Sequence, residues 1–118
     1  MGTLTIILRS GTMMNMDPNV AIKLAHAAMW KGHRVKLVCY GEGATVVKDG
    51  QDPKRFPNIG EILEVMVEDG LEVAACEACC SARGIHRGEV INGARIGSLI
   101  NDLSRFASES DKMVTIAR

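Results

Sequence analysis

Val73-Ala-Ala-Cys76-Glu-Ala-Cys79-Cys80-Ser-Ala-Arg83-Gly84 holds three of the chain's four cysteines. Its first part, with Leu71 before it, is almost uniformly apolar, the signature of a strand covered on both faces of a parallel sheet. Its second part is a short helical stretch closed by Arg83 and Gly84, so the segment predicts a buried strand that delivers Cys76 to the start of a helix.

The flanks repeat this alternation. Upstream, Leu4–Leu8 is a short apolar, β-branched strand, and Ser10–Met16 is the loop at its carboxyl end. Asp17-Pro18 predicts a helix start, with Asp17 as cap and Pro18 in the first helical position. Ala21, Leu24, Ala25 and Ala28 follow at helical spacing, and Lys31-Gly32 closes the helix. Val35–Tyr40 is the second strand, giving a βαβ unit with parallel strands. Gly41-Glu-Gly43 lies at its carboxyl end, Ala44–Lys48 predicts a helical turn, and Asp49–Pro57 an exposed loop. Asn58 and Glu61 form a capping-box start for a helix with an Ile59, Ile62, Leu63, Met66, Val67 stripe, which Gly70 ends.

Downstream, Ile85–Ala94 predicts a loop with an Asn92-Gly93 turn. A helix over about Ser98–Ser108 is supported by Leu99, Ile100, Leu103, Phe106 and Ala107, and Lys112–Ile116 is the last strand. The expected fold is α/β: a doubly wound, mainly parallel sheet of four to five strands with helices on both faces. Its 118 residues suit one domain over 1–118.

Composition narrows the function classes. Lysine plus arginine equals aspartate plus glutamate at 14 each, which gives no electrostatic footprint for nucleic acid or an anionic membrane. No apolar run approaches the length of a membrane span, and no targeting segment is visible. A cytoplasmic, reducing compartment is expected, where clustered cysteines serve catalysis or metal binding more often than disulfide staples.

In open α/β sheets, ligands bind beyond the carboxyl ends of the strands. Cys76 is placed there, before a short helix whose free N–H groups favour an anion. Near neutral pH a thiol of pKa about 8.5 is only about 3% thiolate, whereas one lowered to roughly 6.5 is about three quarters thiolate. Thiolate attacks sulfur, so the site suits sulfur transfer or thiol–disulfide exchange. Cys79 is the better candidate for a second site thiol than Cys80, because the two lie on different helix faces. Cys39, inside a strand pattern, is expected only to pack. Arg83 supplies a positive charge if it folds back. Gly11 and Gly41 open the loops after the first two strands, and with Arg83 they are the candidate anion-stabilising positions.

Other chemistries fit less well. A structural zinc site takes four ligands, whereas the chain offers one Cys-x-x-Cys with His86 as an additional candidate. Val46 occupies a glycine position of the dinucleotide fingerprint, and the P-loop signature is absent. No cofactor and no metal is expected. Met13, Met14 and Met16 crowd the first loop, where flexible thioethers suit a pocket or subunit contact.

These residues resemble the DsrE/DsrF-like family, which includes YchN-type proteins and the TusD/DsrE sulfur-relay subunits. The likeness covers essentially the whole chain. It is most specific from Val73 onward: strand, Cys76-x-x-Cys79, Ala82-Arg83-Gly84-Ile85, then Val90-Ile91-Asn92-Gly93-Ala94-x-Ile96-Gly97-x-Leu99 and Ser110-Asp111-Lys112-Met113-Val114-Thr115. It implies a five-stranded fold, assembly into a homotrimer or homohexamer, and a persulfide on the cysteine eight residues before the Arg-Gly glycine, here Cys76. Cys79 matches the second cysteine of YchN-like members, while Cys80 lies outside the pattern. The expected function is that of a sulfur carrier or sulfurtransferase working with persulfide-donor and sulfur-acceptor proteins. The alternatives are a non-catalytic oligomeric binding or assembly module, and a Cys76/Cys79 thiol–disulfide redox protein.

Overall fold

The computed structural model describes residues 2–117, the side chain of Leu99 excepted. The elements in chain order are β1 (Thr3–Leu8), α1 (Asp17–Trp30), β2 (Arg34–Cys39), a 3₁₀ turn (Gly41–Val47), α2 (Ile59–Glu68) and β3 (Glu72–Cys76). There follow α3 (Glu77–Ala82), β4 (Ala94–Gly97), a π turn (Leu99–Leu103), α4 (Ser104–Glu109) and β5 (Lys112–Ile116). The strands form one sheet in the order β4-β3-β2-β1-β5, and every named pairing is parallel. The expected α/β architecture is therefore present, with five strands. No helix among the described residues is long and apolar enough to cross a membrane.

Strand alternation divides the core between the two faces. Ile6, Leu8, Leu37, Cys39, Val73 and Ala75 meet the apolar sides of α1 and α2 on one face. On the other, Val38 and Ala74 pack under Phe106 of α4, with Ile7 and Leu103 at the margin. Lys36 also lies on this second face. Its Nζ sits 4.7 Å from the Phe106 ring centroid and reaches Glu109 at 3.2 Å and Glu72 at 3.4 Å, so its aliphatic stem is buried while its charge is paired. β5 is covered less well: Met113 and Val114, which alternation places on opposite faces, are 40% and 38% exposed.

Three local expectations are corrected. The loop expected to run through Ala94 instead ends at a strand, Ala94–Gly97, which pairs with β3 alone. Four residues containing an arginine, directly after an Asn-Gly turn, carry too little apolar pattern to announce a strand. The helix expected over Ser98–Ser108 is a π turn followed by a short α-helix, and Leu99, one of its expected supports, has its side chain outside the described residues. The Ser98 hydroxyl accepts the Asn101 N–H at 3.3 Å, and Asp102 forms an ion pair with Arg95 of β4. Asp17 does not cap α1. Met16 occupies the cap position, Asn15 Oδ1 accepts the Asp17 N–H at 2.8 Å, and the Asp17 carboxylate accepts the Ser10 hydroxyl at 2.8 Å, tying the helix to the end of β1. By contrast, Asn58 caps α2 as expected, accepting the Glu61 N–H at 3.0 Å.

Candidate functional site

The carboxyl ends of β1, β2 and β3 lie side by side, and the cysteines gather there. Cys76 is both the last residue of β3 and the extended residue before α3 (φ −66°, ψ 125°). It is buried at 6% exposure, and by alternation it lies on the side of Ala74. One turn later, Cys79 is half-buried and Cys80 is buried against the first-face core, which also contains Cys39. All four are free thiols. Cys79 packs against the same core as Cys80, and the two thiols differ in exposure.

Two thiols are neighbours at the start of α3, and the main chain meets one of them. Cys79 follows Cys76 at one helical turn, and the Gly41 N–H donates to Cys79 Sγ at 3.2 Å. Gly41 holds φ +60°, a conformation that glycine adopts without Cβ strain, and this turns its N–H toward the sulfur. Burial, and then the neighbouring Cys76 thiol, raise the Cys79 thiol above its ordinary pKa, while Gly41 and Arg83 act in the opposite direction. Burial is also the main cause of the raised values of Cys80 and Cys39, with neighbouring thiols adding to it.

Arg83 folds back onto α3. Its Nη1 donates to the Cys79 carbonyl at 2.9 Å, and Nε and Nη2 donate to Glu42 Oε1 at 3.0 and 2.6 Å. The guanidinium is therefore near the thiols but shared with a carboxylate. Glu42 was not singled out in the sequence; its signal was its place between Gly41 and Gly43 at a strand's carboxyl end. Gly11 lies one step away. A Cβ there would stand 2.6 Å from the Glu42 carbonyl oxygen and from Thr45 Oγ1, and its N–H donates to Met14 Sδ at 3.2 Å. Gly11 thus fits the loop after β1 against the 3₁₀ turn. The methionine loop lines a groove of about 240 Å³ with Phe56, Pro57 and Ile59. His86 is exposed, with its backbone N–H bonded to Glu89.

The register brings two further residues to this edge. Leu8 pairs with Cys39, and Cys39 with Ala75, so Arg9, Tyr40 and Cys76 form the next row. Tyr40 stays extended (φ −126°, ψ 147°), and its N–H donates to the Leu8 carbonyl at 3.0 Å, carrying the ladder into this row. Arg9 Cζ lies 5.4 Å from the Tyr40 ring centroid.

The sequence profile of the DsrE/DsrF-like family matches residues 3–116. An uncharacterized protein of Methanopyrus kandleri, MK0008, is 31% identical over 111 residues, covering 94% of this chain and 91% of its own length. The uncharacterized MJ0989 of Methanocaldococcus jannaschii is 36% identical over 95 residues, covering 80% and 82%. Protein YchN of Escherichia coli is 30% identical over 81 residues, covering 69% and 68%. The crystal structure of the E. coli YchN protein superposes with a TM-score of 0.90 at 24% identity, over 98% of this chain and 100% of that one. MTH1491 of Methanobacterium thermoautotrophicum, a protein of unknown function, gives 0.81 at 14% identity over 98% and 99%. At these identities the structural likenesses establish the fold.

Proposed function

From the premise that this chain belongs to the DsrE/DsrF-like family, which is linked to sulfur relay, we propose that it is a sulfur carrier that holds sulfane sulfur as a persulfide on Cys76. The Cys76 thiolate attacks the outer sulfur of a donor R–S–SH. The donor S–S bond breaks, R–S⁻ leaves, and Cys76–S–SH forms. An acceptor thiolate then takes the same outer sulfur, returning Cys76 to thiolate. Alternatively, the Cys79 thiolate attacks the inner sulfur, releasing HS⁻ and leaving a Cys76–Cys79 disulfide.

The observation that carries this reading is the placement of Cys76 at the carboxyl end of β3 with Cys79 one helical turn on, where the Gly41 N–H meets its sulfur. In this reading Cys76, at the end of β3 and the start of α3, is the nucleophile, and Cys79, three residues on, is the resolving thiol. The burial of Cys76 shields a stored persulfide from stray thiols, while the more open Cys79 faces acceptors. Arg83 and the Gly41 N–H serve as the anion-stabilising groups, and Gly11 shapes the turn that carries Glu42. Partner proteins, a reducing cytoplasmic setting and homotrimeric or homohexameric assembly belong to the same proposal. Assembly is supported by the exposed β5.

The test is intact mass after incubation with a persulfide donor. Wild type gains one sulfur, Cys76→Ser gains none, and Cys79→Ser keeps the added sulfur longer. Absence of uptake by wild type, or unchanged uptake by Cys76→Ser, overturns the carrier reading. The Cys76/Cys79 pair also suits a dithiol redox protein; release of sulfide together with disulfide formation ties the pair to persulfide chemistry instead.

A further inference from the structure

We propose that Arg9 and Tyr40 form a docking point for the carboxylate of a small hydropersulfide that loads Cys76. The inference rests on the carrier reading and names the class of donor.

Arg9, Tyr40 and Cys76 occupy one row across β1, β2 and β3. Alternation sends all three side chains toward the same side of the sheet, following Ile7, Val38 and Ala74. Tyr40 therefore lies on the strand between those that carry Arg9 and Cys76, with Arg9 stacked on its ring. Stacking fixes the plane of the guanidinium while leaving its N–H edge available to an oxyanion. Arg9 is exposed, and among the described residues no carboxylate pairs with it. Arg83 and Arg87, other cations at this edge, are already bonded to Glu42 and Glu77. The uncommitted charge beside Cys76 is thus Arg9.

The spacing selects the ligand. Strands lie about 4.8 Å apart, so two strand steps put the Arg9 and Cys76 Cα atoms about 10 Å apart. An oxyanion bonded directly to the transferred sulfur, as in thiosulfate, would bring its charge to Cys76 and leave Arg9 unused. A carboxylate separated from the persulfide by a short carbon chain meets both, and it matches the planar two-pronged geometry of the guanidinium. The low exposure of Cys76 admits the terminal sulfur of such a molecule more readily than a folded partner's surface. In the loading step the Cys76 thiolate takes the outer sulfur with its proton, and the carboxylate-bearing thiolate leaves as R–S⁻.

The experiment measures the rate of sulfur uptake on Cys76 by mass spectrometry from three probes: glutathione hydropersulfide, the uncharged hydropersulfide of 2-mercaptoethanol, and thiosulfate. Wild type is expected to favour the glutathione donor over both others. Arg9→Gln lowers the ratio of glutathione to neutral-donor rates by about tenfold, the usual scale for one charge-assisted hydrogen bond, and Arg9→Lys restores part of it. A calorimetric titration with S-methylglutathione, which has no transferable sulfur, reads docking alone; its affinity should fall about tenfold in Arg9→Gln. A ratio that stays constant while both rates fall makes Arg9 merely structural and overturns the docking proposal, as does equal preference among donors in wild type. Failure of wild type to accept sulfur from any probe overturns the carrier reading. Loss of S-methylglutathione binding as well then removes the docking point, whereas retained Arg9-dependent binding upholds it.

Discussion

Replacing Phe106 by alanine tests whether the second face of the sheet is an integral part of the core. Phe106 is fully buried, and it lies over Val38 and Ala74, each two residues before a member of the Arg9–Tyr40–Cys76 row. A buried aromatic removes on the order of 200 Å² from water, which at about 25 cal/mol per Å² corresponds to about 5 kcal/mol. Alanine retains a minor share, and the cavity it leaves adds cost, so the expected loss is about 3–5 kcal/mol. The cations of Lys36 and Arg105, at 4.7 and 4.6 Å from the ring centroid, add to the upper part of that range. A domain of ordinary stability, about 5–15 kcal/mol, then loses a large fraction of its margin. The assay is urea unfolding followed by far-ultraviolet circular dichroism; Trp30, at 83% exposure, is a poor fluorescence reporter of the core. Phe106→Leu should lose less than half as much. A midpoint for Phe106→Ala corresponding to less than about 1.5 kcal/mol would refute the reasoning, because α4 would then be an appendage that frays without disturbing the sheet.

Two further predictions concern the thiols. Glu42→Gln frees Arg83 from its carboxylate partner, so Cys79 should ionise more readily; its iodoacetamide rate profile should move to lower pH, Arg83→Met should move it to higher pH, and coincident profiles for the three proteins would contradict the arrangement. Cys39 and Cys80 have folded pKa values above their unfolded ones. Below the unfolded value, about 8.5, both states are protonated and the contribution is intact. As pH rises beyond it the unfolded state releases protons first, and stability falls. Denaturant midpoints of wild type should therefore decline from about pH 8.5 upward, and Cys39→Val should decline less steeply. Parallel curves would contradict this assignment.

Most of what fixes the site was legible in the sequence because it is local. An apolar run ending at Cys76, a glycine after Arg83 and a Pro18 at a helix start each act within a few residues. β4 was not legible, since Ala94–Gly97 becomes a strand only by pairing with β3. Asp17 was misassigned because its carboxylate accepts from Ser10 and its N–H donates to Asn15, and spacing does not say which short polar side chain caps. The split of 98–109 into a π turn and a helix is accompanied by the Arg95–Asp102 ion pair, which periodicity does not encode. Arg9 and Tyr40 gave no motif signal: their relation to Cys76 arises from strand register, which depends on how three separated strands align.

The bond from Gly41 to Cys79 comes from the main chain, and that bears on how the site can drift over generations. Side-chain exchange at position 41 leaves the amide donor in place; only proline deletes it. What selection must guard there is the left-handed backbone, at φ +60°, rather than any functional group. Descendants of this chain can therefore rewrite the polar surroundings of the sulfur, Glu42 and Arg83 included, while inheriting the same donor at the same thiol.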